Sequence, residues 1–231
     1  MDRTITCITP TGDRSIPFEL CKRWILSQTI KPDQWVVVDD GKTPLIPTAE
    51  MDYIRRSPTI NDPQHTLLLN LQAGLEVVKG DYIIFIEDDE YYASNYIEEM
   101  IKKLSEYEVV GIGCSKYYNL PMAKYTKYDN MNLASLAQTA IRRSLLPKFL
   151  EILDGDTYID VRFWESINGQ GHIFDDADQM LYVGMKGLPG RAGIGIGHHD
   201  NHMYVQDSDR MILKKWIPND YQYYLSLLEA T

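Results

Sequence analysis

Cysteine is scarce in this chain: its 231 residues hold three, Cys7, Cys21 and Cys114. An odd number, widely spaced among apolar neighbours, supports neither a disulfide framework nor a zinc site. The three are expected as reduced, buried thiols. Long apolar runs are lacking too, since none approaches the roughly 18 residues a membrane span needs. The opening "TITCITP" has no charged-then-apolar leader. These absences predict a soluble, cytoplasmic protein. Basic charge is in deficit, with 23 Lys and Arg against 33 Asp and Glu and a net charge of −10. That balance weighs against a general affinity for nucleic acid or anionic membranes. One stretch runs the other way, where Lys116, Lys124, Lys127, Arg142, Arg143 and Lys148 make the middle of the chain basic. There is no internal repeat and no linker-like segment, so one domain spanning 1–231 is expected.

What is present is a series of short apolar runs. "TITCITP" (Thr4 to Pro10), "DQWVVVDDG", "DYIIFI" and "VVGIGCS" (Val109 to Ser115) read as strands. Between them Phe18, Leu20, Cys21, Trp24, Ile25 and Gln28 recur at helical spacing. So do Leu68, Leu69, Leu71, Leu75 and Val78, in a helix over Thr66 to Val78 closed by Lys79-Gly80. Tyr96 to Leu104 is a further helix. The stretch from Lys116 to Lys148 is less periodic, and beyond Asp154 the chain reads as loops, short strands and a closing helix near Tyr221 to Glu229. Strands without alternation, separated by helices, predict an α/β fold with a mostly parallel central sheet covered on both faces.

Ligands of such sheets bind beyond the carboxyl ends of the strands. Three strand ends here carry "PTGDR", "DDG" and "EDDE". In the last, Ile83 to Ile86 run straight into Glu87, Asp88, Asp89 and Glu90. Four adjacent carboxylates repel one another, so the cluster costs stability unless a metal ion, a basic partner or solvent neutralises it.

The order of these pieces resembles the nucleotide-sugar-dependent glycosyltransferases of the GT-A fold, especially the inverting family 2. The resemblance rests on Thr9-Pro10-Thr11 with nearby Arg14, on "LSQTIKPDQWVVVDDGKT", and on "GDYIIFIEDDE", where Glu87-x-Asp89 stands in place of the family's Asp-x-Asp. It is good from about Thr4 to Tyr92 and thin afterwards. It implies a nucleotide-sugar-binding half over about 1–115 and an acceptor and catalytic half over about 116–231. It further implies that Asp89 binds Mn2+ or Mg2+ directly, with Glu87 or Asp88 acting through water or on the sugar. A hard cation of this kind suits carboxylate oxygens and a phosphate leaving group. Asp39 would accept a hydrogen bond from uracil, with Asp40 beside it. Thr9 and Pro10 would pack along base and ribose with Thr11, and Arg14 would reach ribose or phosphate.

An inverting transfer needs a carboxylate to take the acceptor hydroxyl's proton. Asp160, in "GDTYIDVRFW", starts a helical face carrying Val161 and Trp164 and is the favoured base. Asp176, in "IFDDADQM" with Asp175 and Asp178, is the runner-up. In "MKGLPGRAGIGIGHHDNH", Lys186 and Arg191 supply charge for phosphates among repeated glycines. His198 is the expected third metal ligand, although strand alternation there favours His199.

Two other functions compete. A nucleotidyltransferase shares the sheet and the metal acids but opens on a glycine-rich basic loop, and "TPTGDR" has one glycine and one basic residue. A non-catalytic sugar-nucleotide-binding module would have lost the base or the metal acids, all of which are present. The donor is expected to be a UDP-sugar. The hydroxyl acceptor stays open among a glycan, a lipid-linked sugar, a protein and a hydroxymethylated DNA base, as does the oligomeric state.

Overall fold

Successive side chains of each apolar run enter opposite cores. In β1 (Ile5–Thr11), Ile5 and Cys7 face one core while Ile8 faces the other; in β2 (Gln34–Asp39), Val37 opposes Val36 and Val38. A strand buried on both faces has no polar side to show, which is why these runs do not alternate. The computed structural model describes residues 3–153, 158–176, 179–191 and 203–229. On one face of the sheet lie α1 (Ser15–Ser27) and, later in the chain, α3 (Tyr96–Leu104), α6 (Met211–Trp216) and α7 (Tyr221–Glu229). On the other lie α2 (Leu67–Leu75), α4 (Leu146–Glu151) and α5 (Ile159–Ser166). α2 lies close against the sheet: a Cβ on Gly74 would stand 2.6 Å from Ile8 Cδ1, so a larger residue there would push helix and sheet apart.

Seven strands form the main sheet. Its order is β10 (His172–Phe174), β6 (Val109–Ile112), β9 (Thr139–Arg142), β4 (Tyr82–Phe85), β1, β2 and β3 (Asp52–Arg55). All run parallel except β9, which is antiparallel to β4 and β6. A second sheet is ordered β12 (Val205–Gln206), β8 (Lys124–Asp129), β7 (Cys114–Asn119), β11 (Tyr182–Lys186) and β5 (Tyr91–Tyr92). The division of the chain near residue 115 is therefore not a division between sheets. β9 and β10 return to the first sheet, and β5 leaves it for the second.

Two expectations change. "VVGIGCS" is not one strand: Gly113 separates β6 and β7, which belong to different sheets. The stretch after Lys116 is more regular than its composition predicts, since β7 and β8 pair from Cys114↔Asp129 to Asn119↔Lys124. Its basic residues mostly serve the fold. Arg142 donates to the carbonyls of Leu104 and Ser105 (both 2.8 Å) at the end of α3, and Lys148 donates to Ser166 O (2.5 Å) at the end of α5. Cations suit helix carboxyl ends, where carbonyls lack partners. Arg143 holds Lys79 O (2.6 Å), and Lys116 is buried against Asp176. Gln28 ties α1 to α3: its amide donates to the carbonyls of Trp24 and Ala93 and accepts the N–H of Ile97. Among the described residues the cysteines are free, with Cys7 and Cys21 buried and Cys114 half-buried. Also among them, no helix is long and apolar enough to cross a membrane.

Candidate active site

The carboxyl ends of β1 and β4 lie side by side, with Ile86 N–H donating to Ile8 O at 2.9 Å. The chain leaving β4 therefore turns through Glu87–Glu90 beside the end of β1. Thr11 donates its hydroxyl to Asp88 Oδ2 (2.6 Å), and one guanidinium nitrogen of Arg14 bridges Asp88 Oδ1 (2.8 Å) and Asp89 Oδ2 (2.9 Å). Lys186, from β11, pairs with Glu90 at 2.5 Å, and the other oxygen of Glu90 accepts Met185 N–H at 2.6 Å. Tyr92 fixes the start of the turn by accepting the N–H of Glu87 (2.9 Å).

Among the described residues Asp88, Asp89 and Glu90 thus pair with Arg14 and Lys186, so the four acids of this largely buried turn outnumber the cations paired with them. Burial, reinforced by Asp89, pushes Glu87 up to about 7. Burial likewise raises Asp88 to about 6, although Arg14 works against it. Carboxyl groups in this state gain from a cation. One oxygen each of Glu87, Asp89 and Glu90 can lie within 4.8 Å of the others. Glu90 is committed to Lys186, so Glu87 and Asp89 are the ligands on offer, and an all-oxygen set suits Mg2+ or Mn2+. The residues present fit such an ion.

Asp160, the second residue of α5, faces the same cleft, a cavity of about 250 Å³. Its Oδ1 accepts the N–H of Val161 (2.9 Å), and burial raises its pKa while the backbone N–H groups around it pull it down. Its charge is among those that raise Glu87, so base candidate and metal acids share one electrostatic environment. Pro10, Thr11, Gly12, Asn70 and Tyr182 also line the cleft.

Other predicted site residues are placed differently. Asp176 does not line the cleft; it is buried, paired with Lys116, and accepts the N–H groups of Leu181 (2.9 Å) and Tyr182 (3.2 Å). Asp39 holds its own loop. It accepts from Gly41 N–H (2.8 Å), Leu45 N–H (2.8 Å) and the Tyr53 hydroxyl (2.7 Å), with Arg55 at 3.5 Å. Asp40 pairs with Arg56 (2.5 Å) and Arg191 (2.8 Å). Burial alone would raise Asp40, but the Thr66 hydroxyl and the two guanidiniums hold it below the ordinary Asp value. Thr9 faces the core, where its hydroxyl accepts the indole N–H of Trp35 (2.9 Å). Lys186 and Arg191 do line the cleft, each already bound to an acid. Gly190, at φ +114°, brings Arg191 over the first loop, and Arg14 Nε donates to Arg191 O at 2.5 Å. His198, His199 and Asp178 lie outside the described residues.

Three supporting residues had no signal of their own in the sequence. Glu90 was legible only as part of an acid run. Arg56 binds Asp40, Asp62 and Asn70 at once, and Asn70 in turn donates to Thr11 O (3.2 Å).

Known proteins resemble this chain. The family model described as glycosyl transferase family 2 matches residues 18–166. "Glycosyltransferase GlyA" of Streptococcus pneumoniae serotype 4 (strain TIGR4) is 30% identical over 124 residues, which are 52% of this chain and 17% of that protein. Among solved structures, S. aureus TarS 1-349 superimposes with a TM-score of 0.56 at 12% identity, covering 79% of this chain and 60% of TarS. The same TarS segment in complex with UDP gives 0.55 at 14% identity, with the same two coverages. The mannosyltransferase PcManGT from Pyrobaculum calidifontis, in complex with GDP-Man and Mn2+, gives 0.54 at 14% identity, covering 82% of this chain and 58% of PcManGT. The chain thus spans about a sixth of that curated relative and under two thirds of these structures.

Proposed function

Because this chain belongs to glycosyl transferase family 2 and has the GT-A fold, we propose that it is a glycosyltransferase that moves a sugar from a UDP-sugar to an acceptor hydroxyl with inversion, assisted by Mn2+ or Mg2+. The observation that carries this reading is the meeting of Glu87–Glu90, Arg14 and Asp160 in one cleft. Glu87 and Asp89 would hold the cation, which when bound offsets charge developing on the leaving diphosphate. Pro10, Thr11 and Gly12 would form a wall for the nucleoside, and Arg14 and Lys186 would meet the diphosphate oxygens. Asp160 takes the acceptor's proton as its oxygen bonds to the anomeric carbon. The sugar–phosphate bond breaks at the same centre, and its electron pair leaves with the diphosphate.

The neighbours bound to UDP and to GDP-Man with Mn2+ support a nucleotide-sugar donor and a divalent ion. The test is hydrolysis of UDP- and GDP-sugars in Mn2+ and in EDTA, with the released sugar's anomer read by NMR. Mn2+-dependent release of the inverted sugar from a UDP donor is expected. Full activity in EDTA would remove the ion, a GDP preference would remove uracil, and a retained anomer would remove Asp160 as base.

A further inference from the structure

Lys116 and Asp176 form a charged pair that the chemistry above does not use. Lys116 is 1% exposed and Asp176 2%, Nζ donates to Oδ1, and neither residue lines the cleft. Stability is a weak reason for such a pair, because the cost of desolvating two charges offsets their attraction and apolar residues of similar size often serve as well. Its surroundings supply a geometric reason. The second oxygen of Asp176 accepts the N–H groups of Leu181 and Tyr182, and its carbonyl accepts those of Gln179 and Met180, each at 2.9 Å. Residues 179–182 are thereby held to Asp176 just before and at the start of β11.

From that anchor β11 runs antiparallel to β5 through Tyr182↔Tyr92 and parallel to β7 through Gly184↔Tyr117. Its far end is held by Glu90, through Met185 N–H and Lys186 Nζ. Tyr182 packs edge-on to Tyr92, with ring centres 5.6 Å apart, and Tyr92 is the residue that holds the N–H of Glu87. We propose that Lys116 and Asp176 are positioning residues. Lys116, fixed on β7, sets the carboxylate of Asp176, which sets the start of β11. β11 then delivers Tyr182 and Lys186 to the cleft and holds Glu90 and Glu87 in place. The inference rests on this cleft being the reaction site.

Two double variants remove both charges without stranding either. Lys116→Met with Asp176→Asn keeps an acceptor for the Leu181 and Tyr182 N–H groups, whereas Lys116→Met with Asp176→Leu does not. Amide hydrogen exchange on the folded proteins, with Mn2+ titration alongside, decides the matter. In the Leu variant, peptides covering 179–186 should exchange at least about ten-fold faster while β1 and β4 stay protected. Its Mn2+ affinity should fall, and the Asn variant, which keeps the acceptor but lacks the lysine that sets it, should recover part of both. Unchanged protection of β11 would overturn the proposal. So would unchanged Mn2+ affinity, equal loosening of both sheets, or failure of both variants to fold, which would make the pair a folding element. If wild-type protein binds no Mn2+, the metal-assisted reading fails, and the exchange pattern alone then supports or overturns the positioning role.

Discussion

Two strands flanking β1 end in adjacent acids, and the protein treats them in opposite ways. After β2, Asp39 and Asp40 are well supplied with donors: three N–H or O–H groups and Arg55 on the first, Arg56 and Arg191 on the second. After β4, Asp88, Asp89 and Glu90 share Arg14 and Lys186, with Glu87 beside them. Among the described residues the acids of the first turn are matched by donors, and those of the second outnumber their cations. Acids at a strand end therefore do not by themselves mark a metal site; the cations brought from elsewhere in the fold decide.

The strongest way to break the contrast is at Asp89. Asp89→Asn removes one anionic ligand from the deficient turn. It should reduce Mn2+-dependent hydrolysis of a UDP-sugar by roughly 10³-fold or more, as for other groups that stabilise developing charge, with circular dichroism unchanged. Asp160→Asn should come next, lowering kcat by about 10²–10⁴ at nearly constant donor affinity, since that is the range for general-base catalysis. The acidic limb of the wild-type kcat profile should disappear with it. Survival of that limb in the variant would assign the base elsewhere.

The same contrast explains what could be read in advance. β1, β2 and β4 were legible because strands buried on both faces must be continuously apolar, and Asp160 because an acid opens an apolar helical face. β3 was not, since "DYIR" at a sheet edge is polar enough to pass for a loop. Without β3 there was no reason to place Arg55 and Arg56 beside Asp39 and Asp40, so the ion pairs of this turn were not legible. The β7–β8 hairpin was hidden for a related reason. It buries Lys116, whose partner Asp176 lies 60 positions away, and no local pattern announces a paired charge.

Two smaller effects sharpen the comparison. Asp39→Asn places an amide among donors and should cost about 1–3 kcal/mol of stability in thermal or denaturant unfolding, the usual penalty for stranding buried polar groups. Arg191→Met breaks an ion pair whose arginine side chain is 36% exposed. Stability should change by less than about 1 kcal/mol, while the donor KM rises a few-fold as the first loop loses its cover. An unchanged KM would detach Arg191 from donor binding.

The central claim is that the turn after β4 is open to a cation and the turn after β2 is not. Electron paramagnetic resonance titration of Mn2+ in the presence of UDP, on Asp89→Asn and Asp39→Asn beside wild type, tests it directly. Asp89→Asn should lose at least about ten-fold in Mn2+ affinity, the scale on which even ligand-supporting groups act, while folded Asp39→Asn binds as wild type. Equal losses in the two variants, or a larger one in Asp39→Asn, would contradict the account.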